Sequence, residues 1–225
     1  MIIITGISGG VGQKLAQELI DYDDVHGVYK NNKIDFDNKK IIIEQLDICD
    51  EESVIKYTEG KDLSKVTIIH AATVSIDGLI AGYSKSDWDK TIDINITGDY
   101  LITKYLLPAM INEKWGRIIH LSSVVGKAGV KGAVAYGMSK NAISGFSKGL
   151  AQEYGRFNIT SNVLNLGYME FGLSETLDEE FKKNIIKRIP VNRLGSIDNV
   201  INAIKFLIES DYVNSAEIDI DGGFR

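Results

Sequence analysis

The chain opens with an apolar run, Ile2-Ile3-Ile4, that passes directly into Thr5-Gly6-Ile7-Ser8-Gly9-Gly10-Val11-Gly12 and then into helical periodicity. A short β-branched run, a glycine-rich turn and an amphipathic helix, in that order, make the first half of a βαβ unit. Glycine lets the backbone of such a turn approach a ligand closely. The first amides of the helix then face that ligand with the positive end of the helix dipole. Gly6, Ser8, Gly9, Gly10, Val11 and Gly12 are therefore a candidate pyrophosphate cradle, with an unliganded strand-to-helix turn as the alternative. The spacing is Gly-x-x-x-Gly-x-Gly, not the tighter Gly-x-Gly-x-x-Gly.

The rest of the chain repeats the alternation. Runs rich in β-branched residues predict strands at Ile2–Thr5, Val25–Tyr29, Ile41–Leu46, Val66–His70, Arg117–Leu121, Thr160–Leu164 and Glu217–Ile220. Helical spacing predicts helices near Val11–Tyr22, Glu51–Tyr57, Trp88–Ile111, Tyr136–Tyr154 and Asp198–Glu209, the last with Ser196 as N-cap. The expected fold class is α/β: a Rossmann-type, doubly wound parallel sheet of about seven strands with helices on both faces. No linker or repeat divides residues 1–225, so one dinucleotide-binding domain is expected. Residues 30–40 are too short and polar for a full helix, and residues 168–190 read as a substrate lid with one helical piece.

Composition excludes several classes of partner. A formal net charge of −6 argues against nucleic acid or an anionic membrane surface. Cys49 stands alone, and with three scattered histidines it makes no metal-ligand pattern, so no metal is expected. The opening MIIITGISGG has no basic region followed by a long apolar run, which makes a cytoplasmic location the expectation.

Three further features carry chemistry. The second strand ends Val28-Tyr29-Lys30-Asn31, with no carboxylate for a ribose 2′-hydroxyl. Lys30 instead can face a 2′-phosphate, which favours NADP(H) over NAD(H), unless it is simply a solvated loop lysine. Tyr136 and Lys140 lie four apart on a predicted helix and so share a face. A nearby ammonium favours the phenolate, so Lys140 is expected to lower the Tyr136 pKa and fit the phenol for proton transfer to a carbonyl oxygen. Thirteen residues before Tyr136, a strand ends in Ser122-Ser123. A hydroxyl at that carboxyl end either caps a turn or binds a substrate oxygen.

With these residues in place, the sequence resembles the short-chain dehydrogenase/reductase family from Ile2 to Gly223. Thr5-Gly6-x-x-x-Gly10-x-Gly12 resembles the family's cofactor motif. Asp47-Ile48 is similar to its adenine-contacting pair, Asn95 to its proton-relay asparagine, and Ser123, Tyr136 and Lys140 to its catalytic trio. The resemblance implies that Ser123 polarises a carbonyl, Tyr136 acts as general acid, Lys140 holds the nicotinamide ribose, and Asn95 holds a relay water. It also implies cofactor contacts at Ala71, Ala72, Gly167 and Met169. Homodimers or homotetramers built on the long helices are a further implication, with Gly137, Gly145 and Gly149 serving either close helix packing between subunits or packing inside the chain.

The sequence departs from the family pattern at His70-Ala71-Ala72-Thr73, where Asn-Asn-Ala-Gly is usual, at Leu166-Gly167 and at Phe171. His70 reads as a structural histidine. The Ser122–Gly126 and Gly145–Lys148 runs are most similar to 3-oxoacyl-[acyl-carrier-protein] reductases, which implies an acyl-thioester substrate on an acidic carrier protein. Lys114, Arg117, Lys127, Lys131 and Arg156 are the candidate landing patch. The alternatives are a dehydrogenase of sugars, polyols or small ketones, a non-catalytic NAD(P)-binding sensor, and an epimerase.

Overall fold

The computed structural model describes residues 1–224. Seven parallel strands, β1 Ile2–Thr5, β2 Val25–Tyr29, β3 Ile41–Gln45, β4 Thr67–His70, β5 Gly116–Ser123, β6 Ile159–Leu166 and β7 Glu217–Ile220, form one sheet in the order β3-β2-β1-β4-β5-β6-β7. All four residues of β1 are fully buried. A strand covered on both faces must be apolar throughout, which is why its sequence does not alternate.

One face of the sheet carries helices α1 Gly10–Leu19 and, from further along the chain, Ile197–Glu209. Leu15, Ala16 and Leu19 pack there with Val200, Ile201, Ile204, Leu207 and Ile208 against Ile2, Ile4 and Ile119. The other face carries α2 Glu51–Thr58, α3 Lys85–Ile92, α4 Gly98–Glu113, a short α5 Val125–Ala128 and the long α6 Val134–Tyr154. Its core joins Ile3, Ile68 and Ile118 to Ile102, Leu106 and Leu150. Each such side chain contributes about 1.5–3 kcal/mol on burial. The lid region holds a 3-10 turn at Gly172–Thr176 and α7 Glu179–Arg188, and Ile197–Glu209 is then α8. Asn199 Oδ1 accepts from the Ser196 amide at 3.0 Å, which fixes the start of α8 at the expected residue.

One helix differs from expectation. The stretch anticipated as a single helix over Trp88–Ile111 runs from Lys85 to Glu113 and contains a π-helical turn at Asp93–Thr97. The cause is Asn95, whose side chain serves a neighbouring loop as described below. Among the described residues, no helix is long and apolar enough to cross a membrane.

The strand order reverses between β1 and β4. At that switch point the two connections leave in opposite directions, and a crevice opens outside the carboxyl ends of the strands. The register pairs Thr5 with His70 and His70 with His120, so these strand ends are level across the sheet.

Candidate active site

The glycine turn at the end of β1 closes tightly. Gly6 has φ +67°, and a Cβ there would stand 2.6 Å from Ala72 Cα; one on Gly12 would stand 2.4 Å from Gly6 O. Only glycine satisfies both positions. Gly9 is the N-cap of α1 and offers no side-chain oxygen to the first amides. A backbone cradle with unclaimed donors at a helix N-terminus suits an anion such as a pyrophosphate.

The unusual loop after β4 is held from two sides. Thr5 Oγ1 accepts from the amides of Ala71 and Ala72, both at 3.1 Å. Asn95 Oδ1 accepts from Val74 N at 2.8 Å and Thr73 Oγ1 at 3.2 Å, and its Nδ2 donates to Val74 O at 2.9 Å and Ser139 Oγ at 3.0 Å. Asn95 is thus buried with its amide fully engaged. It ties the β4 loop to α6 and lines neither cleft described next.

A cleft of about 500 Å³ brings the glycine turn together with Lys30, Asp47, Ile48, Ala71 and Ala72. Lys30 Nζ lies 2.6 Å from Asp47 Oδ2, and this bond raises the lysine's pKa. Asp47 Oδ1 also accepts from Cys49 N at 3.0 Å. The sequence reading treats Lys30 and Asp47 as separate contacts to a ligand, whereas the fold pairs them across the tips of β2 and β3. Beside them, burial pushes the Cys49 thiol up to about 11, which keeps it an unreactive thiol.

A second cleft, of about 320 Å³, holds Ser123, Tyr136, Lys140, Gly167 and Met169. Val124, Val130, Phe171, Leu177 and Phe181 wall it, and it shares Val11, Ala71 and Thr73 with the first. Through these shared residues the two clefts adjoin, with the Ser-Tyr-Lys group in the second. Phe171 contributes an apolar wall and is itself buried.

Tyr136 and Lys140 sit one turn apart on α6, both buried, with Lys140 Nζ 5.8 Å from the Tyr136 ring centre. The ammonium donates to Leu121 O at 2.8 Å. Burial lowers its pKa to about 8, and the charge of Asp99 opposes that fall. Tyr136 behaves opposite to expectation. Burial raises the phenol above its ordinary pKa, and a hydrogen bond with Ser123 only partly offsets this. Loss of hydration is the larger effect because Lys140 directs its charge at a carbonyl, not at the phenol oxygen. Ser123 Oγ accepts from Val125 N at 3.2 Å and faces the cleft, while Ser122 Oγ donates to Lys140 O at 2.9 Å and fixes α6 to β5.

The candidate basic patch shrinks. Arg117 is buried, donating to Ile208 O at 3.0 Å and Gly116 O at 2.8 Å. Lys127 pairs with Asp219 at 2.6 Å. Lys114, Lys131 and Arg156 are exposed, and Lys131 stands at the mouth of the second cleft.

Sequence reasoning reads His70 alone, as a structural histidine, and misses the group it belongs to. His70, Asp99 and His120 meet in the core between β4, β5 and α4, all buried. The spacing Asn95, Asp99, Thr103 was the available signal: polar residues every fourth position on the inward face of an otherwise apolar helix.

A doubly wound sheet with a tight glycine turn at its switch point, and a half-buried Ser123 beside the buried Tyr136 and Lys140 beyond it, is the scaffold of a nicotinamide-dinucleotide oxidoreductase. The family model of the short chain dehydrogenases matches residues 1–182. The 3-oxoacyl-[acyl-carrier-protein] reductase FabG of Aquifex aeolicus is 32% identical over 226 residues, covering 99% of this chain and 86% of that protein. The nodulation protein G of a Rhizobium species is 32% identical, covering 98% and 95%. Among solved structures, a tyrosine-to-phenylalanine variant of ElxO with NADPH bound superposes with TM-score 0.88 at 26% identity, covering 99% and 97%. A 3-oxoacyl-[acyl-carrier protein] reductase from Brucella melitensis shares the fold, with TM-score 0.87 at 23% identity over 99% and 90%. The chain belongs to the short chain dehydrogenase family and is an NAD(P)-dependent oxidoreductase.

Proposed function

We propose that this oxidoreductase reduces the ketone of a 3-oxoacyl thioester carried on an acyl carrier protein, with NADPH preferred over NADH. One observation carries the reading: Ser123, Tyr136 and Lys140 converge at the end of an apolar-walled cleft that opens onto the phosphate cradle. Apolar walls suit an acyl chain better than a polyol, whose hydroxyls would be left unpaired there. The name of the relative in Aquifex points the same way.

The cradle, Lys30, Asp47, Ile48, Ala71, Ala72, Gly167 and Met169 would hold the dinucleotide, which supplies hydride when bound. The protein's own residues handle the proton. A phenol raised above its ordinary pKa is fully protonated at neutral pH, as an acid for ketone reduction must be. Ser123 shares the substrate oxygen with Tyr136. The Lys140 ammonium, though bonded to Leu121 O, lies 5.8 Å from the Tyr136 ring centre and from there adds a longer-range attraction for the phenolate left behind, and Phe171, Leu177 and Phe181 in the proposed 168–190 lid exclude water. Asn95 acts in this scheme by holding the loop that forms the shared wall of the two clefts.

We also propose a homo-oligomer built on the outer face of α6. Val134 and Met138 are exposed there, and Cβ atoms added at Gly145 or Gly149 would meet nothing within 4 Å, whereas one at Gly137 would meet Val125 O at 3.2 Å. Gly137 therefore packs internally.

The test is oxidation of NADPH and NADH followed with acetoacetyl-CoA, a hexose and a small diketone, with Tyr136→Phe as the blank. Thioester turnover with NADPH, reduced by roughly 10²–10⁴-fold in the variant with cofactor binding intact, is the expected result. Turnover of the sugar alone would replace the thioester reading, and undiminished activity in the variant would remove Tyr136 from the mechanism.

A further inference from the structure

The clustered His70, Asp99 and His120 have no part in the chemistry above, yet they occupy the core directly behind Lys140. His70 Nδ1 stands 3.1 Å from Asp99 Oδ1, and His120 Nδ1 stands 3.8 Å from Asp99 Oδ2. His70 Nδ1, Asp99 Oδ1 and His120 Nδ1 are buried and lack a well-aligned hydrogen bond. The far nitrogens are occupied: His70 Nε2 lies 3.0 Å from Thr103 Oγ1, and His120 Nε2 lies 3.2 Å from Ser161 Oγ.

Three converging donors of this kind suggest a metal, but the rings argue otherwise. A metal lies in the plane of each imidazole that binds it. These two rings stack with centres 4.7 Å apart and planes 8° from parallel, so they share no in-plane point. The arrangement instead fits a carboxylate flanked by two imidazole Nδ1 atoms, His70 at close range and His120 at the longer distance of 3.8 Å, with the Thr103 and Ser161 hydroxyls donating to the Nε2 atoms. The Asp99 carboxyl, held below its usual range by these neighbours, puts a buried negative charge in the cluster.

The Lys140 ammonium feels that charge. His120 directly precedes Leu121, whose carbonyl receives the Lys140 ammonium at 2.8 Å. Asp99 follows Asn95 by one helical turn, and Asn95 binds Ser139, the residue before Lys140, at 3.0 Å. From these contacts we infer that Asp99, flanked by His70 and His120, is the buried counter-charge that keeps Lys140 an ammonium, and so is a positioning residue for proton transfer. The kinetic part of this inference rests on the role proposed for Lys140 above.

The electrostatics agree. Burial works against the Asp99 charge, yet His70 and His120 outweigh it and hold the carboxyl below its usual range. Burial lowers His120 to about 4, which leaves it neutral at physiological pH. The titratable groups facing Asp99 are His70 from β4, His120 from β5 and Lys140 from α6. Those around Lys140 are Asp99, His120 and, on its own helix, the Tyr136 phenol.

Two measurements test this. The first is kcat/KM for NADPH-dependent reduction of acetoacetyl-CoA from pH 6 to 9.5, which reports groups of the free enzyme. Activity that needs the ammonium falls as pH rises through the Lys140 pKa, about 8 in the native protein. Asp99→Asn should move that alkaline limb down by about one unit or more, for a roughly tenfold deficit above pH 8 and less than about twofold at pH 6. A loss of equal size at every pH would overturn the inference.

The second measurement does not depend on turnover. Urea unfolding is compared for Asp99→Asn in the wild-type and Lys140→Met backgrounds. Removing one partner of a buried pair strands the other, so the loss in unfolding constant should be at least roughly tenfold smaller when Lys140 is already neutral. Equal losses in the two backgrounds would overturn the pairing. If Asp99→Asn alone does not fold, the double variant should, and its failure to fold would overturn it as well. Stoichiometric metal in the purified protein would replace the carboxylate clamp with a metal site. If the thioester is not turned over but the unfolding arm succeeds, the function reading fails while the pairing stands.

Discussion

At the scale of single residues, the site is governed by what burial does to charge. Tyr136 and Lys140 are both pushed toward their neutral forms, the phenol up and the amine down. The sequence shows that the two share a helix face, and the fold keeps them together. It does not show how much water each loses, and that decides the direction of the Tyr136 shift. Arg117 illustrates the same gap: at the start of a predicted strand it reads as part of a basic landing patch, but its guanidinium turns inward to bind three backbone carbonyls, of Gly116, Asn158 and Ile208. Lys30 is the residue whose role is easiest to test. Its ammonium is about half exposed and already paired with Asp47, so its attraction for a 2′-phosphate is that of a screened surface charge. Lys30→Ala should therefore lower kcat/KM for NADPH by roughly two- to fivefold, up to about 1 kcal/mol, with NADH little affected. An unchanged NADPH-to-NADH ratio in steady-state assays would remove Lys30 from cofactor choice.

At the scale of elements, parallel strands were legible because each is a short β-branched run between polar turns, and the largely buried β1 and β2 and the half-exposed edge strand β7 fall at the expected residues. The glycine turn was legible for a similar reason, since its backbone admits no other residue at Gly6 and Gly12. The π-helical turn at Asp93–Thr97 was not. An extra residue in a helical turn leaves the surrounding apolar pattern almost intact, and its cause is a tertiary contact: Asn95 reaching the loop at Val74. The resemblance to the family supplied a relay-water role for Asn95, whereas the structure engages its side chain in holding two backbone groups of Val74. Asn95→Ala would leave that part-buried N–H and C=O unpaired, costing about 3 kcal/mol for the two together. In a chain of this size that corresponds to a fall in Tm of roughly 6–12 °C, measurable by calorimetry. Full thermal stability with lost turnover would instead place Asn95 in the chemistry itself.

At the scale of the whole molecule, the fold divides labour between the two faces of α6. The inward face carries Tyr136, Ser139 and Lys140, whose placement sets the site. The outward face carries Val134, Met138, Ala142, Gly145 and Gly149, a stretch of small or apolar residues left uncovered. Exposed apolar side chains beside two glycines on a helix otherwise rich in packing contacts suit close approach of a second helix, as the proposed oligomer requires. Gly145→Arg separates this from a bare surface. Arginine is a better helix former than glycine by about 0.5–1 kcal/mol, and at Gly145 nothing stands within 4 Å of the added Cβ. A monomer would therefore tolerate or gain from the change. An oligomer packed on this face would have a charged, bulky side chain driven into its interface and should dissociate. Sedimentation velocity at micromolar concentration should show a dimer or tetramer for the native protein and a shift to monomer for Gly145→Arg. A variant that keeps the native sedimentation coefficient would move the interface elsewhere, and a native monomer would remove it.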